Sequence, residues 1–111
     1  MKMIRGVIVL PPEVPVRIYR RVVVEVRDVS ELDKPSIVVA QQVMTNISAG
    51  PASSVAFELT VPDMDSRRSL SLRSHLSLDG GVQVKHGDLL TTASFPLPAG
   101  DALARLRVNL V

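Results

Sequence analysis

Apolar and polar residues alternate with a period of two along most of this chain, and a 3.6-residue period almost never appears. That pattern predicts strands. Ile4, Gly6, Ile8 and Leu10 fall on one face of the first segment, with Met3, Arg5, Val7 and Val9 on the other, so this strand is apolar on both sides. Such a strand is expected where both faces are covered, or where Val7 and Val9 meet a partner. Pro11, Pro12 and Pro15 end it, because proline has no N–H for a ladder. In the next segment Val22, Val24 and Val26 oppose Arg21, Glu25 and Arg27, which predicts a half-buried strand of well-specified register.

Ile37 to Val43 is an apolar run with Gln41 and Gln42 near its end, and Asn46 to Ser54 reads as a loop rich in turn formers. Val55, Phe57, Leu59 and Val61 alternate with Ala56, Glu58 and Thr60 until Pro62-Asp63-Met64-Asp65 interrupts. The clearest alternation sets Leu70, Leu72, Leu76 and Leu78 against Ser71, Arg73, His75 and Ser77. Asp79-Gly80-Gly81 then predicts a tight hairpin. A three-residue loop with Gly81 in the left-handed conformation would pair Leu78 with Val82 and Leu76 with Val84. On that register Ser74 faces His86 and His75 faces Lys85. Ala104 to Val111 alternates Leu106, Val108 and Leu110 with Arg105, Arg107 and Asn109, which favours a final strand over a short helix across Asp101 to Arg107. The sum is an all-β chain: an antiparallel β-sandwich of about seven strands, immunoglobulin-like or related, in a single domain spanning 1–111.

Composition supports a packed core, since 46% of residues are hydrophobic and only 22% charged. Two Phe, one Tyr and no Trp leave that core to Val, Leu, Ile and Ala, which suit strands. The lack of cysteine excludes disulfides, thiolate metal sites, thiol nucleophiles and a lipid-modified cysteine. The net charge of +2 comes from scattered arginines with no polybasic tract, and three aromatics cannot build a stacking platform, so nucleic acid is not an expected partner. The apolar run before Pro11 is too short for a signal segment or a membrane span.

Candidate chemistry is sparse. Asp28, Glu31 and Asp33 crowd three carboxylates into a few residues, as for a hard cation, but the calcium-loop spacing and its glycine are missing. Turn chemistry fits Asp28, Ser30, Asp33 and Pro35 better: Ser30 and Asp33 stand as in a capping box opening one helical turn, and Asp28 can accept from nearby N–H groups. His75 and His86 are the only imidazoles. A Ser-His dyad is conceivable on paper, yet no nucleophile elbow, orienting acid or oxyanion loop accompanies it, and a strand-edge histidine is the plainer reading. Two histidines without a third ligand at characteristic spacing make no metal site. No cofactor is expected.

Leu10-Pro11-Pro12-Glu13, followed by Val22-x-Val24-x-Val26-x-Asp28-x-Ser30-x-x-Asp33-x-Pro35-Ser36 and Ala40-Gln41, resembles the YbaY/YscW family of bacterial lipoproteins. Phe57, Leu59, Arg68 and the Leu70 to Leu78 strand continue the likeness. The resemblance implies a β-sandwich of secretion-associated lipoproteins, whose YscW-type members act as pilotins or chaperones in secretin assembly, with no catalytic residues. Two features depart from the family's pattern. The chain as written has neither signal peptide nor lipid-anchored cysteine, and Pro15 to Arg21 forms an extra segment before the second strand. The expected location is therefore cytoplasmic as written, and periplasmic or outer-membrane-associated if a leader has been trimmed.

Two functions from different classes follow. The first is a non-enzymatic protein-binding or assembly module, with Val7 and Val9 as the candidate partner surface for another protein or a second copy in a homodimer. The second is a small-ligand-binding or hydrolytic domain using His86 or His75 with nearby Ser and Asp, which requires those groups to converge in a concave pocket.

Overall fold

The computed structural model describes residues 1–31, 33–65, 67–98 and 102–111. The all-β expectation holds. Strands β1 (Lys2–Val9), β2 (Arg17–Asp28), β3 (Ile37–Ala49), β4 (Ser54–Val61), β5 (Leu70–Ser77), β6 (Leu89–Thr91), β7 (Phe95–Pro96) and β8 (Ala104–Leu110) run in the order β3-β2-β5-β6-β8-β1-β4, with β7 pairing off the path to β5. Asp101, where the helix alternative would begin, lies outside the described residues.

Not every pair is antiparallel. The first half of β8 lies parallel to β1, with Gly6 opposite Ala104 and Val9 opposite Arg107, while its second half lies antiparallel to β6, with Val108 opposite Thr91. One strand thus serves two sheets. Alternation makes this possible, because Ala104, Leu106 and Val108 all point to the interior whichever neighbour β8 has. Parallel contact also needs close approach. A Cβ on Gly6 would stand 2.4 Å from the Ala104 carbonyl oxygen and 2.7 Å from the Phe57 ring, so only glycine fits.

The interior is filled by Ile4 and Ile8 of β1, Val22, Val24 and Val26 of β2, Phe57, Leu59 and Val61 of β4, Leu72 and Leu76 of β5, and Leu106 and Val108 of β8. Burying each such side chain contributes about 1.5–3 kcal/mol, so the core rests on many aliphatic contacts rather than a few aromatic ones. Strands β3 and β4 end the path, and the gap between them is bridged by Gln42, whose Oε1 accepts from the Glu58 N–H at 2.9 Å. The two layers therefore close almost into a barrel.

The segment Pro15 to Arg21 lengthens the second strand. Arg17 to Tyr19 pair with Ile47 to Ala49, so the predicted loop from Asn46 to Ser54 contracts to the turn after Ala49. Asn46 takes φ 54°, and the ladder skips the Arg20/Asn46 pair. The extra length of β2 demanded a partner, and the next stretch of chain supplied it.

The tight hairpin at Asp79 to Gly81 does not form. Leu76 pairs with Leu89 and His75 with Leu90, while Val82 is 75% exposed. Local hydrogen bonds explain the difference. Asp79 Oδ1 accepts from the Ser77 hydroxyl at 3.0 Å and the Gly81 N–H at 2.7 Å, and Ser77 Oγ accepts from the Gly80 N–H at 3.1 Å. The positive φ falls on Gly80, at 84°, and Gly81 has none. The chain turns away from β5 and returns only at Asp88.

Asp88 closes that excursion. Its carboxylate accepts from the Leu78 N–H at 3.1 Å and the Lys85 N–H at 3.0 Å, and lies 2.8 Å from His75 Nε2. Its backbone carbonyl accepts from the Val111 N–H at 2.9 Å, which ties in the chain's last residue. Burial pushes the Asp88 carboxyl up, but the hydrogen bonds from His75, Leu78 and Lys85 outweigh it and hold the group below its ordinary value.

Gly6→Val should destabilise the fold by about 1–3 kcal/mol, the usual cost of overpacking, read as a lowered urea midpoint with unchanged slope. Asp88→Ala should cost about 3 kcal/mol, because two N–H groups and a buried imidazole lose their acceptor together. Since the folded carboxyl titrates below the unfolded one, the Asp88 contribution is present above the ordinary carboxylate range and lost as pH falls through the folded value. Wild type should therefore lose stability on acidification below about pH 4, and the gap between wild type and Asp88→Ala should narrow there; a gap independent of pH would refute the assignment.

Candidate functional site

Val7 and Val9 lie on the outer face of the β4-β1-β8 sheet, both half-buried. The ladder sets Val7 between Ala56 and Arg105, and Val9 between Ser54 and Arg107. Toward the start of β1, Arg5 Nε lies 3.3 Å from Glu58 Oε2, and Met3 is 48% exposed. Neither Arg105 nor Arg107 forms an ion pair among the described residues. The result is a narrow apolar stripe flanked on one side by two arginines with no ion pair among the described residues. It runs into a cleft of about 440 Å³ lined by Val9, Pro11, Pro12, Glu13, Ala52 and Arg107. Pro11 and Pro12 shape that cleft, since they end β1 and offer no donor of their own.

The turn residues have a defined geometry. Asp28 Oδ1 accepts from the Ser30 N–H at 3.0 Å and from the Ser30 hydroxyl, and Oδ2 lies 3.4 Å from Arg68 Nη1. The Ser30 hydroxyl also accepts from the Ser69 N–H at 2.8 Å, and the Val29 N–H donates to the Ser69 carbonyl. These contacts link the end of β2 to the approach to β5. The hydroxyl and N–H of Ser30 hold the Asp28 carboxyl below its ordinary value, with Arg68 adding in the same direction. Asp33 and Pro35 are exposed, and a shallow cleft of about 320 Å³ lies between Asp28, Glu31, Lys34, Pro35, Ile37 and Arg68. Among the described residues no group of three His, Cys, Asp or Glu side chains is placed to hold a metal ion.

The two histidines separate. His75 is 1% exposed and sealed against Asp88, not at a strand edge, because the excursion after β5 folds back over that face. An orienting acid for His75 does exist in Asp88, but the sequence offered no sign of it, since the two stand thirteen positions apart with the irregular excursion after β5 between them. Ser74 is buried, its hydroxyl donating to the Val23 carbonyl at 3.0 Å and its N–H to Thr91 Oγ1 at 3.2 Å. The predicted pairs Ser74 with His86 and His75 with Lys85 are replaced by Ser74 with Thr91 and His75 with Leu90. His86 stands exposed on the excursion. Ser74, His75 and His86 therefore do not converge: the first two are buried in separate contacts and the third is exposed.

One ion cluster gave no sequence signal. On the outer face of the other sheet, Glu25 is 6% exposed and bridges two guanidinium groups: Oε2 to Arg27 Nη2 at 2.9 Å and Oε1 to Arg73 Nη1 at 3.1 Å. Arg73 stands directly across the ladder from Glu25, and Arg27 two residues along the same strand. Period-two alternation places Arg27 and Glu25 on one face; only strand pairing brings Arg73 to them.

No helix is long and apolar enough to cross a membrane among the described residues. No curated protein sequence matches. Among solved structures, an alternative pilotin from the type II secretion system of Vibrio cholerae is similar in fold, with a TM-score of 0.64 and 17% identity over 97% of this chain and 98% of that one. A family model described as the type III secretion system lipoprotein chaperone YscW matches residues 1–95, which take in β1 to β6 with the stripe and the Asp28 turn. With residues 1–95 of the chain matched, this protein belongs to the YscW family, described as lipoprotein chaperones of the type III secretion system.

Proposed function

We propose that this chain is a non-enzymatic protein-binding module that helps assemble a secretion system, and that the Val7–Val9 stripe takes a segment of its client. The observation that carries this reading is the stripe itself: two half-buried valines on an outer sheet face, flanked by Arg105 and Arg107 without acidic partners among the described residues. An outer face of a small sandwich is ordinarily polar, and an apolar line rimmed by charge is the usual form of a recognition surface. A client segment with small apolar residues on one side and acids on the other would match it.

Family and fold support the same direction, since the family description names a lipoprotein chaperone and the structural relative is a pilotin. On this reading the chain acts at the cell envelope, where the family's lipoprotein chaperones act. The hydrolytic alternative fits the geometry poorly, because His75 is sealed against Asp88, the Ser74 hydroxyl is engaged by the Val23 carbonyl, and His86 stands exposed on the excursion. A second copy of the chain could also cover the stripe, which makes self-association a distinguishable outcome.

The test is capture of partners from the native organism with wild type and with Val7→Asp/Val9→Asp, identified by mass spectrometry. Both side chains point outward, so the double variant should keep its thermal midpoint within a few degrees while losing a secretion-system component by at least about tenfold. Arg105→Glu/Arg107→Glu should weaken the same capture mainly at low salt. Unchanged capture by both variants, or light scattering showing that only self-association is lost, would overturn the client reading.

A further inference from the structure

Arg27 and Arg73, the two arginines that Glu25 joins, line a cleft that neither the stripe nor the family description accounts for. The cleft measures about 370 Å³ and lies between β2, β5 and the segment Thr91 to Ser94. Its polar lining consists of Arg27, Arg73 and the hydroxyl residues Ser36, Ser71, Thr91, Thr92 and Ser94, with no carboxylate among the lining residues. Val29, Leu72 and Ala93 supply apolar wall.

Charge and donor geometry decide what such a cleft takes. Two guanidinium groups share one carboxylate, so one positive charge is left in excess. Arg27 is largely committed: Nε and Nη2 meet Glu25, and Nη1 donates to Ser36 Oγ at 2.9 Å. Arg73 is not. Only its Nη1 has an acceptor among the described residues, which leaves Nε and Nη2, the two donors along one edge of the guanidinium. Those parallel donors match the two oxygens of a carboxylate. Glu25 and the half-buried stems of both arginines hold the fork in place before any ligand arrives, which lowers the ordering cost of binding. A single excess charge suits a singly charged planar group better than a doubly charged phosphate.

We infer that this cleft binds a carboxylate, received by the free edge of Arg73 and by hydroxyls of the Thr91 to Ser94 segment. The site is on the opposite sheet from the Val7–Val9 stripe and does not depend on it. Its ligand carboxylate could be an acidic side chain, a chain terminus or a small free acid, and these share one chemistry.

Nitrogen–proton spectra of the full chain, including the arginine Nε–H signals, test this by titration with sodium acetate against sodium chloride at matched ionic strength. Acetate should move the Arg73 Nε–H and the amides of Thr92 and Ser94 along saturable curves, and chloride should not. Arg73→Gln should weaken acetate by at least about tenfold, the loss of one charged bidentate contact. Arg73→Lys keeps the charge beside Glu25 and loses the fork; a several-fold loss in this variant shows the effect without dependence on the glutamine form folding. Two peptides assign the source: one with internal Asp and an amidated end, the other with a free C-terminal carboxylate and no acid. Equal shifts with chloride, tighter binding of inorganic phosphate than of acetate, or unchanged affinity in Arg73→Lys would each overturn the inference. Loss of acetate binding with client capture intact would separate this cleft from the stripe.

Discussion

The parallel contact between β1 and β8 is the constraint on which the rest of this molecule depends. It joins the two sheets through one continuous strand, and it exists only because Gly6 lets the Ala104 carbonyl and the Phe57 ring come within reach of its Cα. With β8 in place, β1 is paired on both edges and its outer face becomes a platform of three strands. Val7 and Val9 occupy the middle of that platform, and Arg105 and Arg107 arrive beside them as a direct result of register. The stripe is therefore a consequence of the strand that closes the fold.

Polar groups in this chain act mostly as connectors. Asp88 fastens the excursion after β5 and the C-terminus, Asp28 with Ser30 fastens β2 to the entry of β5, and Gln42 bridges the open seam between β3 and β4. Asp88, and Asp28 with Ser30, capture backbone N–H groups that irregular segments would otherwise leave unpaired, which costs more when buried than a surface ion pair returns, and Gln42 captures one from the edge strand β4. The Glu25 cluster differs in keeping donors open to solvent, and that difference singles out its cleft.

The alternation of apolar residues determined the class of fold and most strand positions by itself. Ile4, Ile8 and Leu10, then Val22, Val24 and Val26, Val55, Phe57, Leu59 and Val61, and Leu72 and Leu76 place apolar residues at the alternate positions that face the core, so their inward faces were legible without knowing their neighbours. The run of residues around Asp28 was equally legible as the mark of a family. Misreadings came where local and distant partners compete. Asp79-Gly80-Gly81 has the composition of a tight hairpin, but Ser77 and Asp79 form their own turn, and Asp88 and His75 secure a longer return.

Tertiary structure alone decided which strands became neighbours, and with them the sites. Nothing local in Arg73 announces Glu25 across the ladder, nothing in His75 announces Asp88, and nothing in the C-terminal alternation says that β8 will run parallel to β1. The reason is physical: an alternating pattern specifies which side of a strand is buried, whereas pairing is chosen by the joint packing of a whole interior and by hydrogen bonds between distant segments.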